Sequence, residues 1–255
     1  MKSMSLYVDR NSIIHSFDPI TKLFYILAAV LVPFILPVNT VAFTCMVVSL
    51  LLLVVGKVIG KILPIFGFVF VILLSILVIQ GMFMPGNHTL LFHVGPFNFY
   101  REGLSYAALL CMRVIDIMSA FLLLVLTTKP AELVQSLVEK GLSPRIGYVI
   151  NSVLQIIPQM SATLDKIKDA QRSRGMETEG SLFNRTKAFF PLIGPVVMNA
   201  FIETKERAMA LEVRGFNSTN QQTFLHERKV YPFRKVLQVL FVLIVIFAIV
   251  WRIVT

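Results

Sequence analysis

Two six-residue stretches carry the side chains with the most capacity for chemistry. Ala170-Gln171-Arg172-Ser173-Arg174-Gly175 and Ala210-Leu211-Glu212-Val213-Arg214-Gly215 share the pattern Ala-x-x-x-Arg-Gly. The chemistry open to them is recognition of an anion, because a guanidinium offers a planar fork of donors that fits a carboxylate through two parallel hydrogen bonds. Each hexamer closes a segment with helical spacing. Met160, Leu164 and Ile167 precede the first, and Val197, Phe201, Ala208 and Leu211 run into the second. In both cases they fall along one stripe of a 3.6-residue helix. Gly then stands where a helix takes a left-handed residue just past its end, and Arg lies in the last turn at the negative end of the dipole. Taken alone, these are two ordinary helix ends. The sharper reading is two helix tips that each point a fixed cation at a partner, and the rest of the chain decides between the two.

A second pair sits elsewhere. Arg113 and Asp116 lie near the middle of an apolar run, three residues apart, so one helix side can hold both. Ionisable residues in such surroundings are candidates for function, here a gating or proton-relay pair. The plainer reading is a self-satisfied ion pair that helps helices pack. His15 and Asp18 are expected to cap and orient the first apolar run.

Other chemistries find no support. The histidines His15, His88, His93 and His226 have no metal-ligand spacing. Cys45 and Cys111 lie inside apolar runs and suggest no disulfide framework. Gly56-Lys57-Val58-Ile59-Gly60-Lys61 looks faintly like a phosphate loop but lacks its spacing and follows no strand. No His-Glu-x-x-His or paired-carboxylate motif accompanies the apolar runs. Asn87-His88-Thr89 is a formal glycosylation triplet and reads as a chance match. No cleavable secretory signal is expected at the start, and no cofactor or metal anywhere.

The elements that must position these residues are mostly membrane elements. Mean hydropathy is +0.77, with 56% hydrophobic and 15% charged residues, outside the range of ordinary soluble domains. Apolar runs at 23–36, 40–55, 62–84, 103–128 and 236–254 approach the roughly 20 residues that span a bilayer. The net charge of +10 would suit nucleic acid. In so apolar a chain it is better explained by cytoplasmic loops that obey the positive-inside rule, so the expected surface partner is the bilayer and not nucleic acid. Residues 129–235 hold two thirds of the 24 Lys and Arg. They are cut by Pro130, Pro144, Pro158, Pro191, Pro195 and Pro232 into amphipathic pieces.

The expectation is an all-α integral membrane protein with about five transmembrane helices and a cytoplasmic platform of amphipathic helices. Residues 1–128 would hold an N-terminal cytoplasmic segment and four spans, residues 129–235 the platform, and residues 236–255 the last span. The positive charge puts the platform, the N-terminus, Lys57 and Lys61 in the cytoplasm. The loop at 86–102, which holds only Arg101 among Lys and Arg, then lies outside.

With these motifs in order, the chain resembles the transmembrane (T) subunit of energy-coupling factor transporters. The resemblance rests on Asn11-Ser12-x-x-His15-x-x-Asp18-Pro19-x-Thr21-Lys22-Leu23 and on Leu126-Thr127-Thr128-Lys129-Pro130-Ala131-Glu132-Leu133. It continues through Ile156-Ile157-Pro158, the first hexamer, and Leu211-Glu212-Val213-Arg214-Gly215-Phe216. It implies a plasma-membrane importer subunit for a vitamin, vitamin precursor or transition-metal ion, without an ATP site of its own. It implies that Ser173-Arg174-Gly175 and Val213-Arg214-Gly215 dock into two ABC-type ATPase subunits or domains. A separate membrane (S) subunit would bind the substrate. Gln155 departs from the family, which has Arg before that Pro. The competing reading is a self-sufficient secondary transporter or membrane enzyme. Against it, the five runs show no inverted repeat and almost no charge apart from Arg113 and Asp116.

Overall fold

A computed structural model describes residues 7, 10, 12–86, 88–94, 97–175, 182–216 and 233–254, with backbone only for 92, 94, 97 and 182–190. Asn11, Asn87, Ser181, His226 and Pro232 lie outside the described residues. Helix α1, Pro19–Ile35, starts at a proline, whose missing N–H costs nothing at the first helical position. It stops two residues before Pro37. Helices α2, Asn39–Val55, and α3, Ile59–Phe83, follow. A hairpin of β1, Leu90–Val94, and β2, Phe97–Tyr100, then leads into α4, Arg101–Thr127. Where the sequence suggested a loop, the ribbon closes against the next helix: the Arg101 N–H donates to the Thr89 carbonyl at 3.0 Å, and Thr89 donates to Glu102. Helices α5, Pro130–Glu139, α6, Pro144–Ser173, α7, Leu182–Val213, and α8, Arg234–Val254, complete the chain.

The chain divides into two compact units. One comprises residues 5–141 and 228–255, the other is built on residues 142–227. The division into units falls at 141/142, and α5 packs on α1 within the first unit. In the first unit α4 lies against α1, α2 and α3, and α1 also meets α2 and α8. Tyr25, Ile26 and Ala29 of α1 meet Leu53, Ile62, Ala120, Leu123 and Leu126 in its core. The outward faces stay apolar: Phe68 is 74% and Val71 67% exposed, a surface that water would penalise and lipid does not.

Helices α3, α4 and α8 are long and apolar enough to cross a membrane. Apolar α1 and α2, at 17 residues each, rise about 25 Å against a hydrocarbon core of about 30 Å.

In the second unit α6 packs on α7. Ile156, Met160 and Thr163 face Val196, Asn199, Ala200 and Glu203. Arg207 donates to Gln159 at 2.5 Å, and the Phe216 ring lies 5.0 Å from that of Tyr148. Late residues of α7 thus meet early residues of α6, so the two helices run in opposite directions.

Candidate functional site

Both Ala-x-x-x-Arg-Gly stretches end helices in the way their spacing predicts. At the end of α6, Gly175 takes φ +85° and its N–H donates to the Arg172 carbonyl at 2.9 Å. The Arg174 N–H donates to the Gln171 carbonyl at 3.1 Å. The Ser173 hydroxyl is turned inward, donating to the Asp169 carbonyl at 3.0 Å. At the end of α7, Gly215 takes φ +69°. Its N–H reaches the Glu212 carbonyl at 3.0 Å, and the Phe216 N–H reaches Leu211 at 3.0 Å. Those two bonds are the paired closure of a Schellman motif, which needs a left-handed residue at its centre. A side chain at either glycine would strain the turn.

These closures draw on backbone N–H groups and the Ser173 hydroxyl, and on neither arginine side chain. Arg174 and Arg214 are exposed, and neither makes a side-chain hydrogen bond or ion pair among the described residues. Arg207, two turns before Arg214 on the same stripe of α7, is by contrast bound to Gln159. Val213, next to Arg214, is 90% exposed, an apolar side chain that its own unit does not cover.

The antiparallel packing separates the tips. Phe216 anchors the end of α7 beside Tyr148, near the start of α6. Arg174 lies 26 residues further along α6, up to about 40 Å away at 1.5 Å per residue. The arrangement therefore offers two cations on two separate rigid ends, each able to take one carboxylate.

The intramembrane pair is different. Arg113 and Asp116 take separate partners, and no ion pair joins them. Arg113 donates through Nε and Nη2 to the Pro33 carbonyl, at 3.0 and 2.6 Å, and its guanidinium lies 4.7 Å from the centre of the Phe34 ring. The reason lies in the sequence of α1. The Pro33 carbonyl would normally accept from the N–H of residue 37, and residue 37 is a proline. Arg113 supplies the missing donor, a cation at a helix C-terminus. Asp116 is buried and faces α2 instead: Ser49 donates to its Oδ1 at 2.5 Å, and Tyr25 is bonded to the same Ser49 hydroxyl at 2.5 Å. Its Oδ2, and the Ser119 hydroxyl one turn away, are buried without a hydrogen-bond partner among the described residues.

The sequence reading missed the buried amine of Lys22. Its Nζ donates to the Thr127 carbonyl, the Thr127 hydroxyl and the Thr128 hydroxyl, each at 3.0 Å. The signal was present in Thr127-Thr128 before Lys129-Pro130, an acceptor-rich helix end, but nothing in the sequence joins it to a residue more than a hundred positions earlier. Among the described residues no three His, Cys, Asp or Glu side chains gather as a metal site.

Comparison with known proteins places the chain among transporter components. A family model described as cobalt transport protein, CbiQ, matches residues 10–225. The chain is 32% identical over 233 residues to the energy-coupling factor transporter transmembrane protein EcfT of Bacillus subtilis, with 85% of each chain covered. It is 31% identical over 229 residues to the EcfT protein of Listeria innocua, again covering 85% of each. The EcfT protein of Lactococcus lactis is 27% identical over 263 residues, covering 97% of each.

Proposed function

We propose a function from one premise: the chain belongs to the cobalt transport protein (CbiQ) family, as a transmembrane component of an energy-coupling factor transporter, and it is a multi-pass membrane protein. In our reading it is the non-catalytic coupling subunit. Two ABC-type ATPase subunits bind ATP and close. The α6 and α7 tips follow them, and the motion passes to a substrate-binding membrane subunit that carries a vitamin, vitamin precursor or transition-metal ion. One observation carries this reading: two exposed arginines, without a side-chain partner among the described residues, stand on rigidly capped helix ends at opposite ends of one helix pair. Two ATPases require two such contacts, and the tips supply one each. Ser173, Arg174 and Gly175 form one docking end, and Val213, Arg214 and Gly215 the other.

The test is reconstitution. The tagged chain is expected to carry two ATPase subunits through purification. With them and a substrate-binding subunit in liposomes, it is expected to support uptake only when ATP is supplied. Uptake by the chain alone, without ATP, would reverse the assignment and make it a self-sufficient transporter.

The reading also fixes an orientation. The docking ends face the cytoplasm, as the concentration of Lys and Arg in residues 129–235 suggests, with about five helices crossing the membrane. In a chain freed of Cys45 and Cys111, a cysteine replacing exposed Lys168 is expected to resist a membrane-impermeant thiol reagent in intact cells. One replacing exposed His88 is expected to react. Reversed labelling overturns the orientation.

A further inference from the structure

Asp18, Thr21 and Lys22 occupy positions i, i+3 and i+4 at the start of α1, so they share one helix face. Each reaches a different part of the first unit. Lys22 makes the three bonds to Thr127 and Thr128 at the end of α4, immediately before α5. Thr21 accepts from the Gln238 side chain at 3.2 Å, and Asp18 stands 3.9 Å from the Arg234 guanidinium. Arg234 and Gln238 form the first turn of α8. Lys129, at the head of α5, lies 5.3 Å from the ring centre of Tyr7, which strengthens the same elbow.

These contacts coincide with the chain's path between its two compact units. The chain leaves the first unit after residue 141, through α4 and α5, and returns at residue 228, just before α8. One turn of α1 therefore grips both the outgoing and the returning segment. The grip is buried: Lys22 is 5%, Thr21 4%, Thr127 2% and Thr128 5% exposed. A buried ammonium is tolerated because its three donors are filled, one of them by a carbonyl at the negative end of α4.

We propose that the first turn of α1 is the coupling clamp of the subunit: it positions the α4–α5 elbow and the head of α8 as one rigid joint, so that displacement of residues 142–227 is delivered to the membrane helices. This rests on the coupling function proposed above. Without the clamp, the elbow and the head of α8 yield separately, and motion of the tips is absorbed where the chain crosses between units. Lys22 is thus a positioning residue, acting through the Thr127–Thr128 segment and not through contact with any ligand.

The experiment uses the full complex, with its ATPases and substrate-binding subunit, in liposomes. Lys22→Met keeps the unbranched stem of the side chain, one atom shorter, and removes its donors. Thr128→Val and Gln238→Leu each remove one bond from one arm. The expected result is that ATPase subunits still copurify and ATP is still hydrolysed, while substrate taken up per ATP falls about tenfold for Lys22→Met and less for the single-bond variants. A merely structural role predicts the opposite pattern: less complex recovered, but unchanged uptake per ATP in what assembles. That outcome overturns the clamp. Should Lys22→Met not assemble, Thr128→Val and Gln238→Leu decide by the same ratio. Failure of the underlying coupling function is distinguishable, because it appears in the unaltered chain as loss of ATPase copurification.

Discussion

The double variant Arg174→Glu, Arg214→Glu reaches the membrane in normal amount, loses its ATPase subunits, and stops uptake. The expectation follows from what each arginine does not do. Neither side chain supports its own helix end, because backbone bonds to Gly175, Gly215 and Phe216 already close the last turns. Removing the charge costs the fold at most the helix-dipole contribution, about 0.3–1 kcal/mol at an exposed end. Docking is another matter. An arginine in a partly buried pair with a carboxylate leaves that carboxylate stranded when it is truncated, a loss of roughly 2–5 kcal/mol per contact. Glutamate adds repulsion to that loss. The single alanine variants are expected to weaken ATPase recovery, and the single glutamate variants to weaken it more. Arg174→Lys restores it only in part, since an ammonium keeps the charge and not the planar fork. Each glycine matters for a different reason. Gly175→Ala or Gly215→Ala strains a left-handed residue and misdirects the arginine beside it. The measurement is ATPase pull-down together with uptake in reconstituted vesicles. Full uptake in the double glutamate variant reduces both motifs to helix ends.

What could be read in advance divides along a physical line. Apolar runs bounded by Pro and Gly gave helices within a few residues of those found, because the hydrophobic pattern and the breaking residues are local. The two left-handed glycines were readable for the same reason. The hairpin at 90–100 was not read, although Leu90-Leu91-Phe92-His93-Val94 and Phe97-Asn98-Phe99-Tyr100 are rich in strand formers around Gly95-Pro96; the runs were too short to outweigh a loop. Nothing local in the sequence shows that α5, with its buried Val134 and Ser136, packs on α1. Lys22 stood in the sequence only as part of the first motif, because a sequence does not show that its acceptors lie 105 positions away. Local periodicity specifies elements; the partners of buried polar groups are set by packing across the chain.

Arg113 and Asp116 turn that distinction into the second expected result. Spacing of i, i+3 predicts a mutual pair, whose double replacement by leucine would be milder than the loss of either charge alone. The structure predicts the reverse. Arg113 serves the Pro33 carbonyl and Asp116 serves Ser49, so the two residues share no bond. In a double-mutant cycle on the purified chain, Arg113→Leu and Asp116→Leu are expected to add, with a coupling term near zero. Asp116→Leu and Ser49→Ala, which remove two ends of one contact, are expected to couple by about 0.5–3 kcal/mol. Asp116→Leu leaves the buried Ser49 hydroxyl without its acceptor, while Tyr25 keeps its bond to Ser49, a loss of about 1–3 kcal/mol. Asp116→Asn retains an acceptor oxygen and is expected to recover most of it. Arg113→Leu leaves the Pro33 carbonyl with no donor and removes the cation over Phe34, while Arg113→Lys returns one donor without the fork. Thermal unfolding in detergent measures each corner of both cycles. A large favourable coupling between positions 113 and 116, with none between 116 and 49, restores the ion pair and removes the assignment of Arg113 to the end of α1. Additivity between 113 and 116 places the arginine at the one carbonyl that Pro37 leaves open, and the carboxylate in the hydroxyl chain between α1, α2 and α4.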